Sequence, residues 1–140
     1  MMSRPVPTPS PWSAPYWQAA KAHQLVIQGC RSCNTLIMYP KRFCPHCLGE
    51  DLDWRQAKGT GEIYTVTVQR AGAPSGFESD TPYVLAVVKL DEGVQMMTRI
   101  IGPDAEAAQC GDRVTVEFED IPDAQMTLPV FRRLAAGDQA

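Results

Sequence analysis

The stretch CRSCNTLIMYPKRFCPHC, residues 30–47, carries two Cys-x-x-Cys pairs, Cys30/Cys33 and Cys44/Cys47, with ten residues between them. Each pair sets two sulfurs on one tight turn, and the spacer returns the chain so that the second turn can face the first. Four thiolates can then surround one ion tetrahedrally, at about 2.3 Å each for zinc. Such a shell is full. It leaves no position for water, so it serves structure or electron transfer and not hydrolysis. Paired Cys-x-x-Cys at this separation is a strong metal signal; the competing reading is four free or redox-active thiols. An ion contributing on the order of 10 kcal/mol would hold a ribbon too small to build a core of its own. A Cys₄ shell also suits iron. An electron carrier needs no attached barrel, however, and more than half of the chain lies beyond this ribbon, which favours one structural Zn²⁺ with iron as the alternative.

Outside the cassette the 140 residues read as a globular protein, 44% hydrophobic and 21% charged. No apolar run approaches the roughly 20 residues of a membrane span, and the opening MMSRPVPTPSPWSAPYW lacks the continuous apolar core of a secretory signal. A cytoplasmic setting is expected, where thiols stay reduced and paired cysteines hold metal in preference to disulfides. The net charge of −3 is unevenly spread. Residues 1–58 hold seven Lys/Arg against three acids, a balance of +4, and residues 59–140 hold six against thirteen, a balance of −7. A polyanion groove needs a basic surface, so the acidic C-terminal part argues against nucleic acid.

Pro5, Pro7, Pro9, Pro11 and Pro15 crowd the start, and residues 1–11 read as a Pro-rich lead. Ser13 can cap a short helix with Pro15 in its first turn, running through PYWQAAKAH. Trp12, Tyr16, Trp17 and Ala20 fall at helical spacing and form an aromatic stripe. That stripe either packs on the chain's own domain or forms a docking face for a partner. QLVIQG and LIMYP read as strands entering and leaving the first cysteine pair, and DLDWRQAKG as a bridge out of the ribbon. After KGTGE the pattern becomes all-β. EIYTVTVQR alternates, PYVLAVVKLD is almost continuously apolar, VQMMTRIIG follows a turn at Asp91-Glu92-Gly93, RVTVEFED alternates again and LPVFRRL closes the series. Five strands with one short helical turn at DAEAAQ point to a small OB-type barrel. The expected fold is therefore mainly β: an N-terminal helix, a zinc ribbon, then a five-stranded OB-fold barrel. Its divisions fall at 1–24 (lead and helix), 25–58 (ribbon), 59–135 (barrel) and 136–140 (tail). AGAPSGFESDTP, residues 71–82, is the longest connection and the expected functional loop.

The chain is poor in catalytic motifs. It has no Gly-rich phosphate loop, G-x-S-x-G elbow or H-E-x-x-H helix. Cys110 needs a base to act as a nucleophile. His46 is a spacer inside the second knuckle, and His23 ends the aromatic helix, where its charge suits the helix C-terminus. Cys110 is therefore expected to be a buried, inert thiol. Lys41 and Arg42, just before the second knuckle, are either a solvated turn or contacts for the phosphates of a nucleotide-like ligand such as coenzyme A.

Taken in order, YWQAAKAHQLVIQGC, YPKRFCPHC, LDWRQAKGTGEIYTVTV, PYVLAVVKLDEGVQMMTRIIG, CGDRVTVEFED and LPVFR strongly resemble the DUF35 family over roughly residues 12–133. The resemblance implies a rubredoxin-like zinc ribbon with Cys30, Cys33, Cys44 and Cys47 as ligands, followed by an OB fold. It also implies an accessory, non-catalytic subunit of a thiolase-like enzyme acting on acyl-CoA, aromatic acyl-CoA included, or of a thiolase-like aldolase of steroid side-chain breakdown. The catalytic residues then belong to the partner. Trp12, Tyr16, Trp17, Phe77 and Tyr83 are the candidate partner contacts, with acyl-CoA at the shared interface. A nucleic-acid-binding OB module and a rubredoxin-like electron carrier are the rival readings.

Overall fold

A computed structural model describes residues 5–134; the expected tail at 136–140 and the first four residues of the lead lie outside the described residues. Helix α1 (Ala14–Lys21) begins with Pro15 in its first turn and ends on basic Lys21, both suited to their ends of the helix. Ser13 occupies the N-cap position but does not cap through its side chain. Its hydroxyl instead accepts the Ser10 N–H at 2.8 Å, folding the Pro-rich lead back on the helix start. Beyond α1 the chain turns through a left-handed His23 (φ 59°). The His23 ring stacks on Phe118, and its Nε2 lies 3.1 Å from the Asp120 carboxylate, so this corner is tied to the barrel.

The ribbon is a three-stranded antiparallel sheet in the order β2-β1-β3, built from β1 (Val26–Cys30), β2 (Leu36–Ile37) and β3 (Leu52–Gln56). The stretch expected as a bridge, DLDWRQAKG, is thus largely a strand, paired with β1 along five residues from Val26↔Gln56 to Cys30↔Leu52. LIMYP contributes only its first two residues to strand.

The barrel comprises β4 (Thr60–Gln69), β5 (Tyr83–Leu90), β6 (Gln95–Ile101), β7 (Arg113–Ile121) and β8 (Met126–Arg133), closed in the order β4-β5-β6-β8-β7. All five expected strands are present. Closure turns on β4, whose first residues pair with both β5 and β7, and which carries a register shift between Ile63 and Thr65. Such bulges bend a strand and let a sheet curl on itself. Gly61 sits at this corner because a Cβ there would lie 2.4 Å from the Lys89 carbonyl oxygen. The inward residues of β5 and β6 (Val84, Ala86, Val88, Leu90, Met96, Ile100) meet Ile63, Val114 and Phe131 in one core, which also takes in Tyr16 of α1 and Leu25, Ile27 and Ala57 at the ribbon's base. Around the cysteines lies a second, much smaller cluster of Cys30, Ile37 and Cys44. The barrel is not uniformly sealed: β6 pairs with β8 only at Ile100 and Ile101, in parallel.

Candidate functional site

The four ribbon cysteines converge. Their Sγ atoms all lie within 4.8 Å of one another, with Cys30–Cys47 and Cys33–Cys44 each at 3.6 Å. A tetrahedron of 2.3 Å Zn–S bonds has edges of about 3.8 Å, so the donor set fits one such ion. The two knuckles are built alike. Asn34 N–H donates to the Cys30 carbonyl and Leu48 N–H to the Cys44 carbonyl, each at 2.8 Å, and Asn34 and Leu48 both take left-handed backbone (φ 63° and 65°). His46 donates its N–H to Cys44 Sγ at 3.4 Å while its side chain stays exposed. Thr35 lies 3.0 Å from Cys33 Sγ, and hydrogen bonding by its hydroxyl, then its backbone, pulls the Cys33 thiol down to about 6, whereas at Cys47 the pull of the Gly49 backbone is outweighed by the Cys30 sulfur and burial, which push that thiol up to about 12. Metals bind the thiolate form.

A second convergence lies beside the ribbon. Trp12, Tyr16, Trp17, Phe77 and Tyr83, scattered over seventy residues of sequence, all line one cavity of about 460 Å³. Its floor is the β5–β6 face with part of β8 (Leu85, Met97, Leu128–Val130), and one rim is Tyr39 and Pro40 from the ribbon's spacer. The volume is within the range of small-molecule sites, and the second and third strands of an OB barrel are the face such folds commonly use for ligands. Phe77 is delivered by the 71–82 connection, which is held by local hydrogen bonds such as Phe77 N–H to Pro74 O and Thr81 Oγ1 to Glu78 O. The Phe77 and Tyr83 rings are 6.0 Å apart. Arg99 lies over Tyr83 at 5.6 Å and within 3.9 Å of Asp80. Tyr16 is buried, which pushes its phenol well above the ordinary tyrosine range, with Tyr39 adding to the shift. The stripe is therefore divided: Tyr16 and Ala20 are buried against the chain's own domain, whereas Trp12 is 45% exposed at the groove.

Lys41 and Arg42 are exposed and do not line this groove. The Lys41 backbone is instead clamped by buried Gln28, whose Nε2 donates to Lys41 O (2.9 Å) and whose Oε1 accepts from Lys41 N–H (2.6 Å). Cys110 is exposed, contrary to its expected burial, because it sits in the turn that leads to Gly111 (φ 92°) and β7. Tyr39, Leu85, Arg99 and Gln28 were not singled out from sequence. One signal was present: the continuous apolar run of β5 places Leu85 and Val87 on its outer face, and an outer face that is apolar needs a cover.

The ribbon and barrel together match a recognised pair of domain profiles: the ChsH2 rubredoxin-like zinc ribbon domain over residues 17–53 and the ChsH2 C-terminal OB-fold domain over residues 54–119. A DUF35 domain-containing scaffold protein from Methanocaldococcus jannaschii is 30% identical over 109 residues, covering 76% of this chain and 77% of that one. The chain belongs to the DUF35 family. A solved DUF35 structure, the Ltp2-ChsH2(DUF35) aldolase, superposes with a TM-score of 0.80 at 37% identity, covering 91% of this chain and 98% of that one. A probable enoyl-CoA hydratase alpha subunit from Thermomonospora curvata is 38% identical over 129 residues; the match covers 92% of this chain but only 40% of that longer relative. Among the described residues of this DUF35 chain no helix is long and apolar enough to cross a membrane.

Proposed function

We propose that the chain is a non-catalytic accessory subunit of a thiolase-like enzyme acting on acyl-CoA, and that the aromatic groove is where partner and acyl group meet. The observation that carries this reading is the convergence of Trp12, Tyr16, Trp17, Phe77 and Tyr83 on one apolar groove. Cys30, Cys33, Cys44 and Cys47 hold one zinc ion, which supplies a structural cross-link: all four ligands come from protein, so no site remains for water or substrate. His23 is engaged by Asp120 and His46 sits within a knuckle, which leaves Cys110 no histidine base among the described residues. Lys41 and Arg42, both exposed on the ribbon, would meet the phosphates of a coenzyme A bound by the partner. The names of relatives support the reading, one as a subunit of an enzyme acting on an enoyl-CoA and one as the DUF35 component beside an aldolase.

A second version makes the partner a thiolase-like aldolase of steroid side-chain breakdown; the aldolase in the name of the solved relative supports an aldolase partner. A nucleic-acid role is disfavoured by the groove itself, whose lining is mostly aromatic and aliphatic, includes the acid Glu119, and has its arginine, Arg99, beside Asp80 and Tyr83. Tagged protein recovered from its native host is expected to bring down a thiolase-like chain, and Trp12→Ala with Phe77→Ala is expected to lose it. Recovery of the wild type as a monomer, with no effect on any thiolase-like activity, overturns the proposal. Assaying the recovered complex for CoA-dependent thiolysis and for retro-aldol cleavage separates the two versions.

A further inference from the structure

The spacer between the knuckles does more than connect them. Tyr39, midway along it, reaches over to the barrel and accepts the backbone N–H of Met97 on its hydroxyl at 2.6 Å. Met97 lies in the half of β6 that β8 does not pair, next to Thr98, whose hydroxyl donates to the Pro129 carbonyl at 3.2 Å. Tyr39 and Pro40 form the groove's ribbon-side rim at the same point. What holds Tyr39 there is local. The spacer is anchored at Cys33 and Cys44, by two residues of β2, and by the Gln28 clamp on Lys41. The small cluster beneath it is Cys30, Ile37 and Cys44, so two of its three buried side chains are themselves metal donors. Without the ion the spacer keeps Leu36 and Met38 against the main core and the Gln28 clamp on Lys41, but it loses the anchors at both of its ends, Cys33 and Cys44.

We infer that the Cys₄ site sets the shape of the groove through Tyr39, so that metal occupancy and groove binding are thermodynamically coupled. Tyr39 is a positioning residue: it ties the ribbon to β6 and fixes one wall of the cavity. Coupling of this kind is reciprocal, so whatever the metal does for groove affinity, a groove ligand does for metal retention. The inference rests on the reading of the four cysteines as a zinc site and of the groove as a binding site.

Amide hydrogen exchange on the full chain tests it without any natural ligand. Stripping zinc with a mercurial and chelator is expected to raise exchange at the Met97 amide about tenfold or more, a typical size for site-to-site coupling, while amides of β5 stay protected. Tyr39→Phe, which removes only the hydroxyl, is expected to raise Met97 exchange similarly while keeping one equivalent of zinc. The apolar dye 1-anilinonaphthalene-8-sulfonate, used as a groove probe, is expected to slow zinc transfer to a colorimetric chelator in the wild type and much less in Tyr39→Phe. Met97 protection that survives zinc removal while the β1 and β3 amides lose theirs overturns the coupling and leaves the zinc reading standing. Failure to bind an equivalent of zinc at all overturns both.

Discussion

The ribbon and the barrel solve the same problem by different physics. In the barrel, thirteen buried residues form one apolar cluster that reaches down into the helix and the base of β1. The ribbon's own cluster has three buried members, and two of them are thiols. Burial of a core residue such as Phe131 contributes through area removed from water and through dense packing. Near the knuckles there is not enough apolar surface for that, and covalent-like bonds to an ion take its place. The boundary between the two regimes does not follow the strands. Ile27 belongs to the barrel's core and Cys30, three residues later in the same strand, to the metal's.

The largest expected effect comes from removing a ligand. Cys44→Ser should abolish tight zinc binding, a loss on the order of 10 kcal/mol for a structural site. Metal content and hydrogen exchange should then show the upper ribbon (Cys30, Leu36–Ile37 and Leu52) open, and the Met97 amide with it, while the rest of the barrel and the lower half of β1 remain protected. Collapse of both parts together would erase the distinction. Next, Phe131→Ala should destabilise the barrel by about 3–5 kcal/mol, the usual cost of truncating a fully buried aromatic, read as a lower thermal midpoint with zinc still bound at ambient temperature. The smallest effect concerns acid. The bidentate Arg113 guanidinium, followed by the Thr60 hydroxyl, holds the Asp91 carboxyl down to about 2. A carboxylate depressed in the folded state contributes stability that is full above its ordinary value near 3.8 and fades as pH falls toward 2. Asp91 and Arg113 are about 30% exposed, 29% and 31% respectively, so water screens the pair and the contribution is on the order of 1 kcal/mol. Urea midpoints of the barrel at pH 5 and pH 2.5 should differ by that much more in the wild type than in Asp91→Asn. Zinc should be lost earlier in the same titration, because its thiolate ligands must take up protons.

Much of the architecture was readable from local pattern. The cysteine spacing located the metal cluster, because knuckle geometry is encoded within four residues at a time. Period-two alternation and apolar runs located the five barrel strands. What escaped was set by distant partners. LDWRQ is polar and half exposed, so nothing local marks it as a strand; its pairing to β1 across the intervening knuckles makes it one. Ser13 has the chemistry of a cap, but the nearby Ser10 competes for its hydroxyl. Cys110 looked like a core thiol by residue type, yet it occupies a turn where the chain needs glycine's left-handed backbone next door. The five groove aromatics were each visible, and their convergence was not, since it depends on how α1 and the 71–82 connection lie against the barrel. Tyr39 had no signal beyond a tyrosine before a proline.

The contact between Tyr39 and Met97 has one more consequence, for how the molecule behaves in a crowded solution. An unpaired strand edge is a template for uncontrolled association with other chains. Closure of the barrel removes most of its edges, and the stretch of β6 left unpaired by β8 is where the Tyr39 hydroxyl engages an N–H. On the ribbon, the outer strand β2 is only two residues long, and β3 carries Asp53 and Arg55. Each region guards its margin in its own way, so a surface with an aromatic groove can stay available to a specific partner without inviting edge-to-edge aggregation.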